Sequence, residues 1–101
     1  MNIEFIIIAI ISYLIGAIPC GVVLTRLTGA GDVRQSGSGN IGATNVYRTA
    51  GRKLGILTLA GDIIKGVLPV IYASTISGMS TEQTAMIACA TFLGHLYPVY
   101  L

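Results

Sequence analysis

The chain has 101 residues, which is room for one domain, and 53% of them are apolar. Only 10% of the residues are charged and the formal net charge is +2, whereas soluble domains carry roughly 25% charged residues. This composition excludes an ordinary soluble domain and indicates a membrane protein. Cys20 and Cys89 are too far apart in sequence to suggest a metal site or a disulfide framework. We therefore predict two buried structural thiols and no metal.

The first predicted span covers residues 5–25, which carry no charge. As a helix this segment would extend about 31 Å, which matches the hydrocarbon core of a bilayer. A cleaved signal peptide is the alternative, but such a peptide begins with a basic region. This chain begins with Glu4 as its first charge, so a retained span is favoured. Gly16, Pro19 and Gly21 predict close packing or a bend in its second half.

The segment 26–53 is the basic region of the chain. It contains five cations and one acid, Asp32. The positive-inside rule places this segment in the cytoplasm and the N-terminus outside.

Two further apolar segments follow, at residues 54–77 and 83–101. The first contains Asp62 and Lys65, and the second has His95 as its titratable group. The residues between them predict a short turn, with Ser80 or Thr81 as the cap of the third helix. The predicted fold class is all-α: a multi-pass membrane protein with three transmembrane helices and a glycine-rich cytoplasmic loop.

The glycine-rich loop, residues 36–48, has the composition of an anion-binding site. Its glycines allow the positive φ values with which consecutive backbone N–H groups form a nest for an anion. The residues concerned are Gly37, Gly39 and Gly42. Hydroxyl and amide donors come from Ser36, Ser38, Thr44, Asn40 and Asn45. Arg48 could bind a phosphate through two parallel hydrogen bonds. A flexible connector is the open alternative.

Two nucleotide-binding motifs are excluded in this loop. It lacks the Gly-Lys-Ser/Thr ending of a P-loop. The Gly-x-Gly-x-x-Gly spacing that begins at Gly37 lacks the preceding strand of a dinucleotide-binding unit.

Alternating spans would bring the loop, the Asp62/Lys65 pair and His95 to the cytoplasmic face, which favours a common site. Asp62 and Lys65 share one face of a helix and could pair with each other, or Lys65 could extend to the membrane interface. The functional alternative places both near an anionic substrate. His95 could act as a general base or could hydrogen-bond a neighbouring loop.

Three motifs resemble the bacterial acyl-phosphate-dependent glycerol-3-phosphate acyltransferases. They are residues 36–48 (Ser-Gly-Ser-Gly-Asn-Ile-Gly-Ala-Thr-Asn-Val-Tyr-Arg), 61–66 (Gly-Asp-Ile-Ile-Lys-Gly) and 94–99 (Gly-His-Leu-Tyr-Pro-Val). The resemblance extends over the whole chain in the right order. It implies an enzyme of the bacterial cytoplasmic membrane that makes lysophosphatidic acid for phospholipid biosynthesis. Acyl phosphate and glycerol 3-phosphate are the implied substrates, and a soluble enzyme is the implied source of the donor. No cofactor and no nucleic-acid partner are expected.

The resemblance also implies roles for individual residues. Ser38, with the N–H groups of Gly39 and Asn40, would hold the acyl phosphate. Arg48 would clamp the phosphate of glycerol 3-phosphate, and Thr44 and Asn45 would shape the loop. His95 is the third predicted catalytic residue, although a substrate phosphate oxygen could accept the proton instead. The predicted substrate-binding residues are Ser36, Gly37, Gly39, Asn40, Gly42, Thr44, Asn45, Asp62 and Lys65.

Members of this family continue beyond the Gly-His-x-Tyr-Pro motif into another glycine- and lysine-rich loop and further spans. We therefore expect residues 1–101 to form one membrane domain that corresponds to the N-terminal part of the family's fold. The alternative function is a non-catalytic small membrane protein for anion binding, transport or scaffolding, or an inactive fragment.

Overall fold

The computed structural model describes residues 2–101, and every regular element in that range is helical. Five α-helices follow one another along the chain: α1 (Ile3–Gly16), α2 (Cys20–Leu27), α3 (Ala43–Ala50), α4 (Arg52–Ile71) and α5 (Thr81–Leu96). A short 3₁₀ turn, Val33–Gln35, precedes the glycine-rich loop, and a π-helical turn, Tyr72–Ile76, extends α4. The all-α prediction is confirmed for the described residues.

The first predicted span is not one continuous helix. Asn2 caps α1 by accepting a hydrogen bond from the Phe5 N–H at 2.9 Å, and α1 ends at Gly16. The chain resumes a helix only at Cys20, directly after Pro19. Proline has no N–H to donate and disfavours helical geometry at the residue before it, here Ile18. The expected helix over residues 5–25 is therefore corrected to two shorter helices.

The chain divides into two compact units, of which the first contains residues 2–18 and 64–101. In this unit α1 and α5 pack backbone against backbone. A methyl group on Gly16 would collide with the Thr91 carbonyl, and one on Gly94 would collide with the Tyr13 carbonyl. A small apolar cluster of Phe5, Ala73 and Ile87 lies in the same unit.

Two tyrosines tie the end of the chain to α1. The Tyr13 hydroxyl donates to the Tyr97 carbonyl oxygen at 2.6 Å, and the Tyr100 hydroxyl donates to the Leu14 carbonyl oxygen at 3.1 Å. α5 ends at Leu96, earlier than the predicted end of the third apolar segment. Beyond α5, the Tyr97 N–H still donates to the Leu93 carbonyl oxygen at 2.8 Å, and the two tyrosine hydroxyls add long-range bonds from side chain to backbone.

The start of α5 follows the prediction. The Ser80 hydroxyl oxygen accepts from the Gln83 N–H at 3.1 Å, and the Gln83 carboxamide oxygen accepts from the Ser80 N–H at 3.3 Å. This reciprocal pair is a capping box. Cys89, on the same helix, is exposed, and Cys20 is half-buried. The prediction of two buried thiols is therefore wrong for Cys89.

The second unit contains Pro19–Ile63, and thus α2, the glycine-rich loop, α3 and the first part of α4. Its core consists of Val22, Val33 and Val46, one from each of α2, the 3₁₀ turn and α3. Glycines allow the backbones to meet. Gly21 on α2 faces the Ile41 carbonyl, and a methyl group on Gly55 would lie 2.7 Å from Cβ of Tyr47.

One continuous helix among residues 2–101 is long and apolar enough to cross a membrane. It is α4 with its π-helical extension, 25 residues in all, and α1 and α2 qualify together only as a broken span. Several large apolar side chains of α4 are more than half exposed, including Ile56, Ile63 and Leu68. Such exposure suits lipid better than water. α5, with 16 residues, is shorter, so three spans remain a prediction.

Candidate functional site

The structure corrects the predicted loop of residues 36–48: residues 43–48 belong to α3, and residues 36–42 form the loop. Asn45, on α3, is the centre of the hydrogen bonds that hold this glycine-rich loop. Its side-chain nitrogen donates to the carbonyl oxygens of Val33 (3.2 Å), Ser36 (2.9 Å) and Asn40 (2.9 Å). Its side-chain oxygen accepts from the Ser38 N–H at 3.1 Å. Asn45 is only 4% exposed, so its amide is largely shielded from water. The loop is therefore a folded element and not a flexible connector.

Two small turns complete the loop. The Asn40 N–H donates to the Ser38 hydroxyl oxygen at 3.3 Å, and the Gly42 N–H donates to the Asn40 side-chain oxygen at 2.8 Å. Gly37 and Gly39 have φ values of +56° and +77°, as a nest requires. Gly42 does not: its φ is −73°, and it caps α3, which corrects the expectation for that residue.

The predicted anion donors of the loop already have partners inside it. The Gly39 N–H donates to the Ser36 carbonyl oxygen at 2.9 Å, and the Asn40 N–H donates to Ser38. An anion bound through these two N–H groups would have to displace those acceptors. The side chain of Ser38, by contrast, lies on the exposed side of the loop.

Arg48 lies beside a cavity of the second unit. The cavity has a volume of about 420 Å³. Its lining residues come from α3 and α4: Ala43, Thr44, Tyr47, Arg48, Gly55, Ile56 and Leu59. Thr44 and Arg48 are one helical turn apart, so the cavity has a hydroxyl and a guanidinium above an apolar wall. Such a lining suits a ligand with an anionic group and an apolar part.

Two other cations of the basic segment are already paired. Arg26 and Arg34 contact the same oxygen of Asp32, at 2.8 and 2.6 Å. The hydrogen bonds from Arg34 hold the pKa of the Asp32 carboxyl far below its usual value, and Asp32 raises the pKa of Arg34. Arg48 forms no ion pair with any described residue, so its charge stays available to a ligand. This cluster was not predicted from the sequence, although Asp32 stands between its two partners in the chain.

Lys65 contacts the break after α1. It is 7% exposed, and its Nζ donates to the Ile18 carbonyl oxygen at 2.8 Å. Ile18 lies just beyond the end of α1, where backbone carbonyls lack helical partners. A carbonyl without a helical partner gains from a charged donor, so the ammonium stabilises the break. Asp62, half-buried, belongs to the second unit.

His95 lies in the last turn of α5, next to the close packing of Gly94 against α1. Its ring is half-buried, and Nδ1 is buried without a hydrogen-bond partner among the described residues. His95 and Lys65 belong to the first unit, whereas the predicted loop residues and Arg48 belong to the second.

The sequence profile of the family described as "Glycerol-3-phosphate acyltransferase" matches residues 6–101. The chain belongs to this family. A relative named glycerol-3-phosphate acyltransferase from Syntrophotalea carbinolica is 61% identical, over 97% of this chain and 50% of its own length. One of the same name from Pseudomonas entomophila is 52% identical, over 92% of this chain and 49% of its own. The chain thus spans about half the length of these relatives.

A solved structure is also similar. It is the crystal structure of PlsY, an integral membrane glycerol 3-phosphate acyltransferase, in its glycerol 3-phosphate form. The TM-score is 0.88 and the identity 39%, and the match covers 97% of this chain and 48% of the other. The all-helical fold of this chain is therefore that of the first half of an integral membrane protein.

The contact of Lys65 with the helix break leads to a first prediction. We expect Lys65→Met to lower the free energy of unfolding by about 1.5–3 kcal/mol, because the Ile18 carbonyl would lose its charged hydrogen-bond donor. Lys53→Met, at an exposed lysine of the same helix, should change it by less than about 0.5 kcal/mol. Both can be measured by denaturation in detergent micelles, followed by circular dichroism. Equal effects of the two variants would contradict this role of Lys65.

Proposed function

We propose that this chain is the N-terminal part of a membrane enzyme that transfers a fatty acyl group from acyl phosphate to glycerol 3-phosphate. The products are lysophosphatidic acid and phosphate, for phospholipid biosynthesis. The observation that carries the proposal is a folded glycine-rich loop that leads directly into α3. On α3, Arg48 forms no ion pair with any described residue and lies beside a cavity of mixed polarity. The names of the relatives support the acceptor, and the resemblance of the motifs supports the donor.

Acyl phosphate is an activated mixed anhydride, so the reaction needs no nucleophile from the protein. A hydroxyl of glycerol 3-phosphate attacks the acyl carbon and forms the new ester bond, while the bond to phosphate breaks and its electrons leave with the phosphate. The hydroxyl proton passes to a phosphate oxygen or to His95. Catalysis then rests on the positioning of two anions and on stabilisation of the developing negative charge.

The loop and α3 divide these tasks. Ser38, exposed on the loop, contacts the acyl phosphate together with Ser36, Gly37, Gly39 and Asn40. Arg48 binds the phosphate of glycerol 3-phosphate through its two parallel N–H groups. Gly42 and Thr44 shape the entrance to that site. The resemblance of the motifs supports further roles for Asp62, Lys65 and His95 in substrate binding and catalysis.

The proposed setting is the bacterial cytoplasmic membrane, with the N-terminus outside and the glycine-rich loop in the cytoplasm. α1 and α2 form a broken first span, α4 with its π-helical turn the second, and α5 the third. The exposed apolar side chains of α4 support a lipid environment, and the basic segment supports the cytoplasmic placement. A soluble enzyme delivers the acyl phosphate to that side.

The proposal is tested by joining this chain to the second half of the Syntrophotalea carbinolica relative. We expect the joined protein to form lysophosphatidic acid and release phosphate from acyl phosphate, but only when glycerol 3-phosphate is present. Ser38→Ala should lower kcat/KM at least about tenfold, because hydrogen bonds to charged groups contribute about 1.5–3 kcal/mol. Ser74→Ala, at an exposed serine of the π-helical turn, serves as the matched control. Binding of glycerol 3-phosphate without turnover would instead favour a non-catalytic anion-binding protein.

A further inference from the structure

We propose that Asn45 is a positioning residue that sets the shape of the glycine-rich loop before any ligand binds, and that it does not contact substrate. From its sequence, Asn45 was predicted to bind substrate and, by the family resemblance, to shape the loop. The inference about loop shape stands on the hydrogen bonds of the loop alone, and only its consequence for substrate binding rests on the proposed function.

The Asn45 amide has little capacity left for a ligand. Its nitrogen carries two hydrogens, and these already serve three carbonyl oxygens. Its oxygen accepts from the Ser38 N–H. The side chain is almost completely buried, so a ligand on the surface of the loop does not reach it.

The position of Asn45 on α3 allows its side chain to hold the loop in place. It neighbours Val46, a core residue with no exposed surface, on α3. α3 itself is held by close backbone approaches, because Gly55 lets Tyr47 lie directly on α4. The Asn45 amide is therefore anchored to the core of the second unit. Its partners, by contrast, extend over residues 33–40, which form no helix beyond the 3₁₀ turn.

Gly37 is matched to this amide. Its φ of +56° is a conformation that other residues rarely adopt, and a methyl group at this position would collide with the side-chain oxygen of Asn45. The loop thus closes tightly around the amide. Three backbone carbonyls and the Ser38 N–H, which would otherwise need water as a partner, point inward to the Asn45 amide. These hydrogen bonds fix the position of Ser38.

Preset loop geometry matters for anion binding. If the loop adopts its binding shape only part of the time, the apparent dissociation constant rises by the inverse of that fraction. A residue that raises the fraction to near one strengthens binding without touching the ligand.

Hydrogen exchange on the 101-residue chain in micelles tests the proposal. Asn45→Asp places a carboxylate, which cannot donate, opposite three carbonyls, and we expect the loop amides of residues 36–42 to exchange at least tenfold faster. The amides of α4 should exchange as in the wild type. Asn40→Asp is the matched control, because it adds the same charge to the same loop. It keeps the oxygen that accepts from the Gly42 N–H, so its loop exchange should stay within twofold of wild type.

Asn45→Ala is a second, neutral variant. It tests the proposal if the charge that Asn45→Asp introduces unfolds the second unit. Faster exchange confined to the loop in either variant supports the proposal. Wild-type exchange of the loop in both variants would overturn it. Loss of α3 and α4 protection in both would also overturn it, because Asn45 would then serve the folding of the whole unit.

The joined enzyme provides the functional readout. We expect Asn45→Ala to raise KM for acyl phosphate by the inverse of the fraction of time for which the loop keeps its wild-type shape, with kcat within threefold of wild type. An unchanged KM in a variant whose loop amides have lost their protection completely would show that the preset shape does not serve binding. If the joined wild-type protein is inactive, the proposed function fails, and the exchange result still decides the role of Asn45.

Discussion

Gly94→Ala is expected to destabilise the first unit by about 3 kcal/mol, at the upper end of what overpacking costs. The added methyl group would collide with the Tyr13 carbonyl and would approach the backbone of Gly16 and Ala17. All of these neighbours are backbone atoms, so none can turn aside as a side chain would. The two helices would have to separate, which weakens the contacts of the Tyr13 and Tyr100 hydroxyls as well.

Gly66→Ala is the matched control for this prediction. Gly66 lies within α4, and a methyl group there would meet nothing within 4 Å. Alanine is favoured over glycine in a helix by about 0.8–1.0 kcal/mol, so this variant should be as stable as the wild type or more so. Denaturant unfolding in micelles, followed by helical circular dichroism, measures both. If Gly94→Ala were as stable as Gly66→Ala, the close packing of α1 on α5 would be refuted.

Arg48→Ala should lower kcat/KM of the joined enzyme by about 10- to 150-fold. This range corresponds to the loss of charge-assisted hydrogen bonds, about 1.5–3 kcal/mol. The effect should appear mainly when glycerol 3-phosphate is the varied substrate, because Arg48 is proposed to bind its phosphate. Rates of acyl transfer at varied concentrations of each substrate give this comparison.

Two variants make the Arg48 prediction specific. Arg48→Lys keeps the charge and loses the paired N–H groups, so its activity should lie between those of Arg48→Ala and wild type. Arg52→Ala removes an exposed cation that does not line the cavity, and kcat/KM should stay within twofold. Equal losses of kcat/KM in Arg48→Ala and Arg52→Ala would show that Arg48 attracts anions only through its charge and does not bind the phosphate specifically.

The local structure of this protein follows closely from its sequence. The second apolar segment was predicted at residues 54–77, and the structure has helix from Arg52 to Ile76. The Ser80 cap was also predicted, because capping depends on residues three positions apart. Positive φ at Gly37 and Gly39 followed from the same kind of local reasoning. Each of these features depends on neighbours in the chain.

The candidate site was predicted less completely, because its contacts join distant residues. Lys65 bonds a carbonyl 47 positions earlier in the chain, and Tyr13 bonds one 84 positions later. Nothing in the sequence distinguishes an asparagine that binds a ligand from one that holds a loop. Asn45 was therefore grouped with Asn40, although the structure gives Asn45 a buried, fully used amide and leaves Asn40 exposed.

The sequence is enough to predict a helical chain suited to a membrane and to propose which residues bind an anion. Composition, hydropathy and motif spacing are local properties, and they suffice for those conclusions. Which polar groups are already hydrogen-bonded within the chain follows only from how distant segments pack. Asn45 and Lys65 satisfy backbone groups that burial would otherwise leave without partners, whereas Arg48 remains available. That distinction depends on where distant segments meet, and only packing establishes it.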